Sequence, residues 1–218
     1  MHIPDGYLGP YTYFFFFLVM VGLWSYGGRR LQKNLRARQV PFLAVGAAFS
    51  FLVMMFNVPI PTGTTGHAVG AVAIAIILGP WAALLAVSVA LIIQALLFGD
   101  GGITAIGANA FNMAFLMPFI GYLVFVVLNR LQGEKRVFLS AAIAGYIGLN
   151  FAALATAVEL GIQPILHSVA GRPLYCPYPL TITVPAMMIG HLLPFGFVEA
   201  IVTGFVVTFM RKEWGEVT

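Results

Sequence analysis

Seven long apolar runs restrict what this chain can fold into. An α-helix needs about 20 predominantly apolar residues to cross the hydrocarbon of a bilayer. The runs lie at 11–28, 40–57, 66–79, 81–98, 107–129, 137–160 and 184–210. Only 8% of the 218 residues are charged, against roughly 25% in a soluble domain. The sequence therefore predicts an all-α, polytopic membrane bundle of about seven transmembrane helices. We expect the short third run, which ends at Gly79-Pro80, to be a tilted or partial span.

The distribution of Lys and Arg predicts the orientation of these helices, because short loops rich in these residues stay cytoplasmic. Ten of the eleven cations fall on one side: Arg29, Arg30, Lys33, Arg36, Arg38, Arg130, Lys135, Arg136, Arg211 and Lys212. Only Arg172 falls on the other side. The N-terminus is therefore predicted outside and the C-terminus inside. The net charge of +4 follows from this topology and gives no case for nucleic-acid binding.

The predicted organisation is a single transmembrane domain over residues 1–218. Residues 1–10 form an N-terminal metal-binding segment that inserts into the bundle, 11–210 form the helices, and 211–218 form a cytoplasmic tail. The first ten residues contain no basic region of a signal peptide, so we expect 11–28 to be a retained span.

The first two residues, Met1 and His2, offer a metal chelate of three nitrogen atoms. The Met1 amine and the deprotonated His2 amide close a five-membered ring on a metal ion. That amide and the His2 imidazole close a six-membered ring, so all three donors lie in one plane. One corner of the plane stays vacant and needs another ligand. The chelate requires a free Met1 amine, and we expect the bulky second residue to keep Met1 in place.

His67 is the predicted fourth donor. All four histidines, including His167 and His191, map to the outer loops or outer ends of the spans. His67 ends the irregular loop 59–67, whose two prolines and two glycines demand a shaped backbone surrounded by protein. Residues 2–10 can extend about 30 Å, which is enough for the terminus to reach this loop.

Four further residues are candidates to support the ligands. A metal-bound imidazole donates its other N–H to an acceptor, which fixes the orientation of the ring. Asp5, Asp100, Asn109 and Asn112 are expected to serve, and the two asparagines, spaced i and i+3, share one helical face. Turn formation by Asp5 and helix-to-helix bonding by the asparagines remain open alternatives.

The other ionisable groups receive weaker predictions. His191 and Glu199 lie inside the last run, where such groups are usually buried and paired. We expect them to form interhelical hydrogen bonds, with His191 also a candidate for the supporting shell or the metal pathway. Glu159 is expected to be a hydrated carboxylate at a helix end, and His167 a solvated loop histidine.

These residues together resemble the CbiM/NikM family, the substrate-binding membrane subunits (S components) of energy-coupling-factor (ECF) importers for cobalt and nickel. Met1-His2-Ile3-Pro4-Asp5-Gly6 is similar to the family's N-terminal signature, Thr65-Gly66-His67 to its histidine loop, and residues 107–113 to its asparagine motif. The resemblance implies a seven-helix subunit in a prokaryotic cell membrane. It also implies that Met1, His2 and His67 bind one divalent ion in a square plane.

The resemblance implies partners as well: a transmembrane coupling subunit, cytoplasmic ATPase subunits and, as an optional partner, a small accessory membrane subunit. The chain has no G-x-x-x-x-G-K-[ST] phosphate loop, so we expect it not to be an enzyme by itself and to depend on partner ATPases. Small residues at every fourth position allow close helix association. The candidate docking surfaces are Ala44 with Ala48, or Ala82 with Ala86 and Ala90, and packing within the chain is the open alternative for either.

Planar nitrogen coordination favours Ni²⁺ or Cu²⁺, whereas Zn²⁺ prefers a tetrahedron. The resemblance points to nickel or cobalt as the transported substrate. The geometry favours nickel over cobalt but leaves copper open. Since a free amine has a pKa near 8 and an imidazole near 6.5, binding should release protons and weaken as the pH falls.

Two other functions remain open. A proton-coupled secondary transporter would use Glu159, His191 and Glu199 as a relay, but such carriers usually contain internal repeats, and none is detected. A metal-dependent intramembrane hydrolase would use His191, Glu199 and His67, but the sequence lacks a helical H-E-x-x-H pattern.

Overall fold

The computed structural model of the chain describes residues 1–34, 40–132 and 136–215. Within these ranges the helices are α1 (Pro10–Asn34), α2 (Val40–Met54), α3 (Ala71–Leu78), α4 (Pro80–Ile93), α5 (Ile106–Ala110), α6 (Met117–Gln132), α7 (Val137–Gly161), α8 (Gln163–Leu166), α9 (Leu180–Gly190) and α10 (Gly196–Gly215). Turns of π-helix at Gln94–Phe98, Phe111–Leu116 and His191–Phe195 extend α4, join α5 to α6 and join α9 to α10. Arg36, Arg38 and Lys135 of the predicted charge bias, and 216–218 of the predicted tail, lie outside the described residues.

Two small hairpins interrupt the helices. Strand β1 (Val58–Ile60) pairs antiparallel with β2 (Thr64–Gly66), and β3 (Ser168–Val169) pairs antiparallel with β4 (Arg172–Pro173). In the first hairpin Ile60 lies opposite Thr64. This hairpin carries the chain into the segment that contains His67.

The predicted all-α membrane bundle is confirmed. Five described helices are long and apolar enough to cross a membrane: Pro10–Lys33, Pro80–Phe98, Ile106–Leu131, Val137–Leu166 and Leu180–Glu213. Large apolar side chains such as Phe14, Phe15 and Leu18 of α1 are exposed, as expected for a surface that faces lipid. The orientation of the termini stays a prediction.

The second and third apolar runs require a correction. Helix α2 has 15 residues, which gives a length of about 22 Å. The third run was predicted over 66–79, but helix α3 has only eight residues, and the start of the run belongs to β2 and a loop. Gly70 (φ 73°) precedes α3 and Gly79 (φ 94°) follows it, and these positive φ angles interrupt a right-handed helix at both ends. Pro80 then starts α4 directly.

Helix α3 lies inside the bundle. Its first five residues, 71–75, are almost fully buried, and it contacts α4, α6 and α10. At its C-terminal end the Trp81 ring packs edge-on against Tyr26, with ring centroids 4.9 Å apart, and the Arg30 guanidinium lies 5.8 Å from the centroid of that ring. The reversal at Gly79-Pro80 is therefore close to the basic end of α1, and the N-terminal end of α3 points into the core.

The two small-residue stripes differ in exposure. Ala82, Ala86 and Ala90 are buried, and α4 packs against α2. This stripe is thus used for packing within the chain, which rules it out as a docking surface. Ala44 and Ala48 are exposed on α2, so their docking role stays a prediction.

Candidate metal centre

The N-terminal segment lies in the interior of the protein. Met1 and Ile3 are fully buried, and His2 is 3% exposed. Asn109 of α5 holds Ile3 by two hydrogen bonds: its Oδ1 accepts from the Ile3 amide at 2.8 Å, and its Nδ2 donates to the Ile3 carbonyl at 3.1 Å. The Gly102 amide donates to the same carbonyl at 2.8 Å. The main chain of Ile3 is thus fixed on both sides, directly next to the chelate.

Asp5 forms a second attachment of the segment. Its carboxylate accepts from the amides of Ile103 at 3.0 Å and Thr104 at 2.8 Å, and from the Thr104 hydroxyl. Partial burial alone would raise the pKa of Asp5, but the hydrogen bonds from Thr104 and Ile103 lower it below its usual value. Asp5 therefore binds the loop before α5 as a carboxylate, and its hydrogen bonds go to this loop and not to an imidazole.

The Met1 amine is buried against the first hairpin. It donates to the main-chain oxygen of Thr65 and lies 3.3 Å from the Thr65 hydroxyl. Burial lowers the pKa of this amine from 8.0 to about 4, although the charge of Asp100 acts in the opposite direction. At neutral pH the amine is therefore an uncharged base whose lone pair can bind a metal ion.

The His2 imidazole lies between two polar side chains and stacks on His67, with ring centroids 4.6 Å apart and an interplanar angle of 25°. Its Nε2 donates to Gln94 Oε1 at 3.2 Å, so Nδ1 carries the lone pair. Asp100 Oδ1 lies 3.4 Å from Nδ1 and forms no hydrogen bond with it. Burial, followed by the charge of the Met1 amine, lowers the pKa of His2 to about 3. The Nδ1 atom is the ring nitrogen that a six-membered chelate with the His2 amide requires.

His67 lies between β2 and α3 and is fully buried. Its Nδ1 donates to the Ala68 carbonyl at 3.0 Å, so the lone pair is on Nε2. Glu199 of α10 fixes the residues that follow, since its Oε2 accepts from the amides of Val69 at 2.8 Å and Gly70 at 2.9 Å. In place of the expected interhelical hydrogen bond, Glu199 therefore binds the two residues just before α3, which holds the start of that helix.

Four imidazole nitrogens have no hydrogen-bond partner among the described residues: His2 Nδ1, His67 Nε2, His191 Nε2 and, packed against Gly9, His167 Nε2. Unpaired buried polar atoms in a native protein require an explanation, and a metal ion bound by nitrogen is one. The described ranges contain no group of three His, Cys, Asp or Glu side chains that could hold a metal ion. A metal site here therefore depends on nitrogens of the main chain as well as on side chains.

Other predicted residues are placed differently from expectation. Asn112 donates from Nδ2 to Glu159 Oε2 at 2.8 Å and to Thr156 Oγ1 at 3.1 Å, so its hydrogen bonds go to α7. Glu159 is only 4% exposed, which corrects the prediction of a hydrated carboxylate: α7 extends beyond it, and Asn112 covers it. His167 is also buried, since its ring stacks on Tyr11, which corrects the prediction of a solvated histidine.

Sequence reasoning missed three residues that form hydrogen bonds with Met1 or His2. Gln94 binds His2, Thr65 binds the Met1 amine, and Thr64 Oγ1 donates to the His2 carbonyl at 2.9 Å. Gln94 could have been noticed in the sequence, because it is a lone amide side chain within an apolar run. Nothing in the sequence marked the two threonines apart from their place in the loop before His67.

Comparison with known proteins identifies the family. Residues 2–216 match the sequence profile of CbiM, described as "Cobalt uptake substrate-specific transmembrane region". The chain belongs to the CbiM family. Among CbiM relatives, the fused nickel transport protein NikMN of Rhodobacter capsulatus is 50% identical over 215 residues. This match covers 97% of the present chain but only 62% of NikMN. The chain thus spans less than two thirds of that fused relative.

Two further comparisons support the assignment to CbiM. A candidate metal transport protein of Methanocaldococcus jannaschii is 49% identical over 213 residues, which cover 97% of this chain and 92% of the relative. A crystal structure of a truncated transition metal transporter is 52% identical, with a TM-score of 0.94, and the match covers 98% of this chain and 99% of that one. The CbiM chain described here is therefore a multi-pass membrane protein with the fold of a metal transporter.

Proposed function

We propose that this chain is the substrate-binding membrane subunit of an ECF-type importer that captures Ni²⁺ in a square-planar nitrogen site. The Met1 amine, the deprotonated His2 amide and the His2 Nδ1 supply three corners of the plane. The His67 Nε2 supplies the fourth. Co²⁺ is the alternative substrate, and Cu²⁺ would fit the same plane.

One observation carries this proposal: the buried terminus lies beside His67, with the lone pairs of both imidazoles unpaired. The orientation of each ring is already fixed by a hydrogen bond from its other nitrogen, to Gln94 for His2 and to Ala68 for His67. Such bonds to the remote nitrogen are typical of metal-binding histidines. The names of the relatives, which refer to nickel and metal transport, and the family's description as cobalt uptake support a divalent transition metal as the substrate.

The importer role follows from the absence of a nucleotide-binding motif together with the membership of the family. Because the sequence has no phosphate loop, the proposal assigns the energy for transport to partner ATPases that act through a coupling subunit in the cell membrane. A proton relay through Glu199 is less favoured, because its carboxylate is engaged by the amides of Val69 and Gly70.

The test compares the purified chain with two variants: one with an additional residue before Met1, and His67→Ala. The extension converts the amine into an amide while every side chain stays in place, and His67→Ala removes one corner. We expect each variant to lower the affinity for Ni²⁺ by at least about 100-fold, the upper range for loss of a ligand's support, and to change the visible spectrum of the bound ion. His167→Ala is the matched control, since His167 is buried and its ring packs against Gly9, Tyr11 and Tyr175.

Retained affinity and an unaltered spectrum in the extended variant would reject the proposed coordination. Dependence of transport on an added ATPase module would support the importer role. Uptake by the purified chain alone in vesicles would instead favour the secondary transporter.

A further inference from the structure

His191 resembles His67 in its local environment, although the proposed planar set does not use it. It is fully buried, and its Nδ1 donates to the Met187 carbonyl of the preceding helical turn at 2.7 Å. This bond leaves the lone pair on Nε2, which has no hydrogen-bond partner within the described part of the chain. The expected interhelical hydrogen bond of His191 is thus replaced by one within its own turn.

Packing places the backbones of the two histidines side by side. Gly66 precedes His67 and Gly190 precedes His191, and both glycines flank the same methyl group, Ile60 Cδ1. A Cβ atom on Gly66 would lie 2.9 Å from this methyl, and one on Gly190 would lie 3.1 Å from it. The two chain segments therefore approach each other across a single side chain.

The π-helical turn that begins at His191 also contacts the His67 segment. Phe195, at the end of this turn, has its ring centroid 5.6 Å from that of His191 and lies directly against Gly66. One turn further, Glu199 binds the amides of Val69 and Gly70. One face of this helix, at positions i, i+4 and i+8, is thus applied to the segment that carries His67. Such π-helical turns are frequent at functional sites.

Charge interactions agree with this arrangement. The Met1 amine, His67 and His191 lie close enough together for charges on them to interact. A buried imidazole lone pair without a hydrogen-bond donor is unfavourable, because nothing replaces the water that it lost on burial. A cation that can occupy this position at some stage of transport would offset that cost.

We propose that His191 Nε2 is a further metal ligand, outside the planar set, which takes over the ion when it leaves His67. The proposal rests on the proposed function, because it assumes that the terminal segment delivers the ion to this place. A third imidazole beside the plane would let the ion exchange one nitrogen ligand for another without passing through an uncoordinated state. It would accept any divalent ion that prefers imidazole, including Ni²⁺ and Co²⁺.

The experiment asks whether His191 can hold the ion when His67 is absent. Binding of Ni²⁺ to the purified chain is measured by equilibrium dialysis, and the visible spectrum of the Co²⁺ form reports the ligand set. The variants are His67→Ala, His67→Ala/His191→Ala and His67→Ala/His167→Ala. In the last variant a buried histidine with an unpaired Nε2 is removed elsewhere, so it is a matched control. His67→Ala/His191→Gln is a second version that retains a polar side chain, and monodispersity in detergent checks the fold of each.

We expect His67→Ala to retain weak binding. Removal of His191 in that background should weaken binding by at least a further tenfold and change the Co²⁺ spectrum, whereas removal of His167 should change neither. The proposal is overturned if His67→Ala binds no metal, or if both His191 double variants bind as His67→Ala does with the same spectrum. If His67→Ala binds like the unmodified chain, the planar set itself is wrong, which separates failure of the proposed function from failure of this inference.

Discussion

At the scale of single residues, the protonation of the terminus decides when the chelate is available. Burial lowers the pKa of the Met1 amine to about 4 and that of His2 to about 3. For a base, a lowered pKa means that the buried state favours the neutral form. Docking of the segment is therefore fully favourable above pH 8, the value of a free amine, and weakens as the pH falls from 8 towards 4.

This leads to a prediction about the pH dependence of Ni²⁺ binding. The lowered pKa values of the docked Met1 amine and His2 make both groups neutral between pH 5 and 8, and burial also lowers the pKa of His67. The ion is therefore expected to displace a proton only from the His2 amide. The affinity should fall about tenfold for each unit of decreasing pH, which corresponds to about one proton released per ion. The measurement is a series of Ni²⁺ titrations at constant ionic strength. A pH-independent affinity would exclude the amide as a ligand. A release of two or more protons would mean that the amine of the metal-free protein is charged.

Chelate chemistry made it possible to single out Met1 and His2 from the sequence, because their atoms close rings whatever the fold. His67 was singled out by its place at the end of the irregular loop 59–67. The structure brings these three together, and their role as ligands stays a prediction. Gln94 could not be paired with His2 in advance. The direction of the Gln94 side chain depends on the π-helical turn that starts at this residue, and such a turn cannot be predicted from the periodicity of the sequence.

At the scale of elements, the short helix α3 is the part of the fold that presents His67. Its first amides would be unpaired inside the bundle, and the carboxylate of Glu199 accepts two of the hydrogen bonds just before it. Thr203 Oγ1 donates to the other carboxylate oxygen at 3.1 Å, which fixes Glu199 on its own helix. Helix α10 thus sets the position of the His67 segment.

Glu199→Gln should therefore weaken Ni²⁺ binding although Glu199 is not a ligand. Hydrogen bonds to a charged group contribute about 1.5–3 kcal/mol, and partial loss of that contribution should weaken the affinity by about tenfold. Glu159→Gln is the matched control, because Glu159 is an equally buried glutamate that binds Asn112 instead. Affinity and thermal stability are measured for both variants. Equal affinities of the two variants, whether reduced or not, would show that Glu199 does not act through His67.

The apolar runs predicted the long helices well because each run must satisfy its own backbone in lipid. They failed for the third run, where an apolar sequence forms a strand, a loop and one short buried helix. An apolar sequence shows that a segment avoids water, but it does not show whether the segment crosses the membrane or is buried in the protein core. A core helix and a membrane span therefore have similar sequences. Glu159 was misplaced for a related reason: the helix continues past it, and Asn112 shields it from water.

At the scale of the whole molecule, the face of α2 that carries Ala44 and Ala48 is the candidate docking surface for a partner. Ala44 and Ala48 are exposed one turn apart, whereas the stripe on α4 is buried within the chain. Small exposed residues let a second helix approach closely in the membrane.

Ala44→Trp and Ala48→Trp should each abolish co-purification with the coupling subunit and leave Ni²⁺ binding by the isolated chain unchanged. The control is Val89→Trp, which adds the same bulk at a side chain that is 48% exposed on α4. Assembly that is unaffected by both alanine variants would exclude this face of α2.

The position of α3 also sets how far the cargo still has to travel. Its eight residues span about 12 Å, and its far end lies beside Trp81 and the basic end of α1. The hydrocarbon layer is about 30 Å thick. If α3 lies along the membrane normal in the predicted orientation, an ion at the N-terminal end of this helix would have less than half of the hydrocarbon layer left to cross. The proposed coupling to partner ATPases would then have to drive the ion over this remaining distance only.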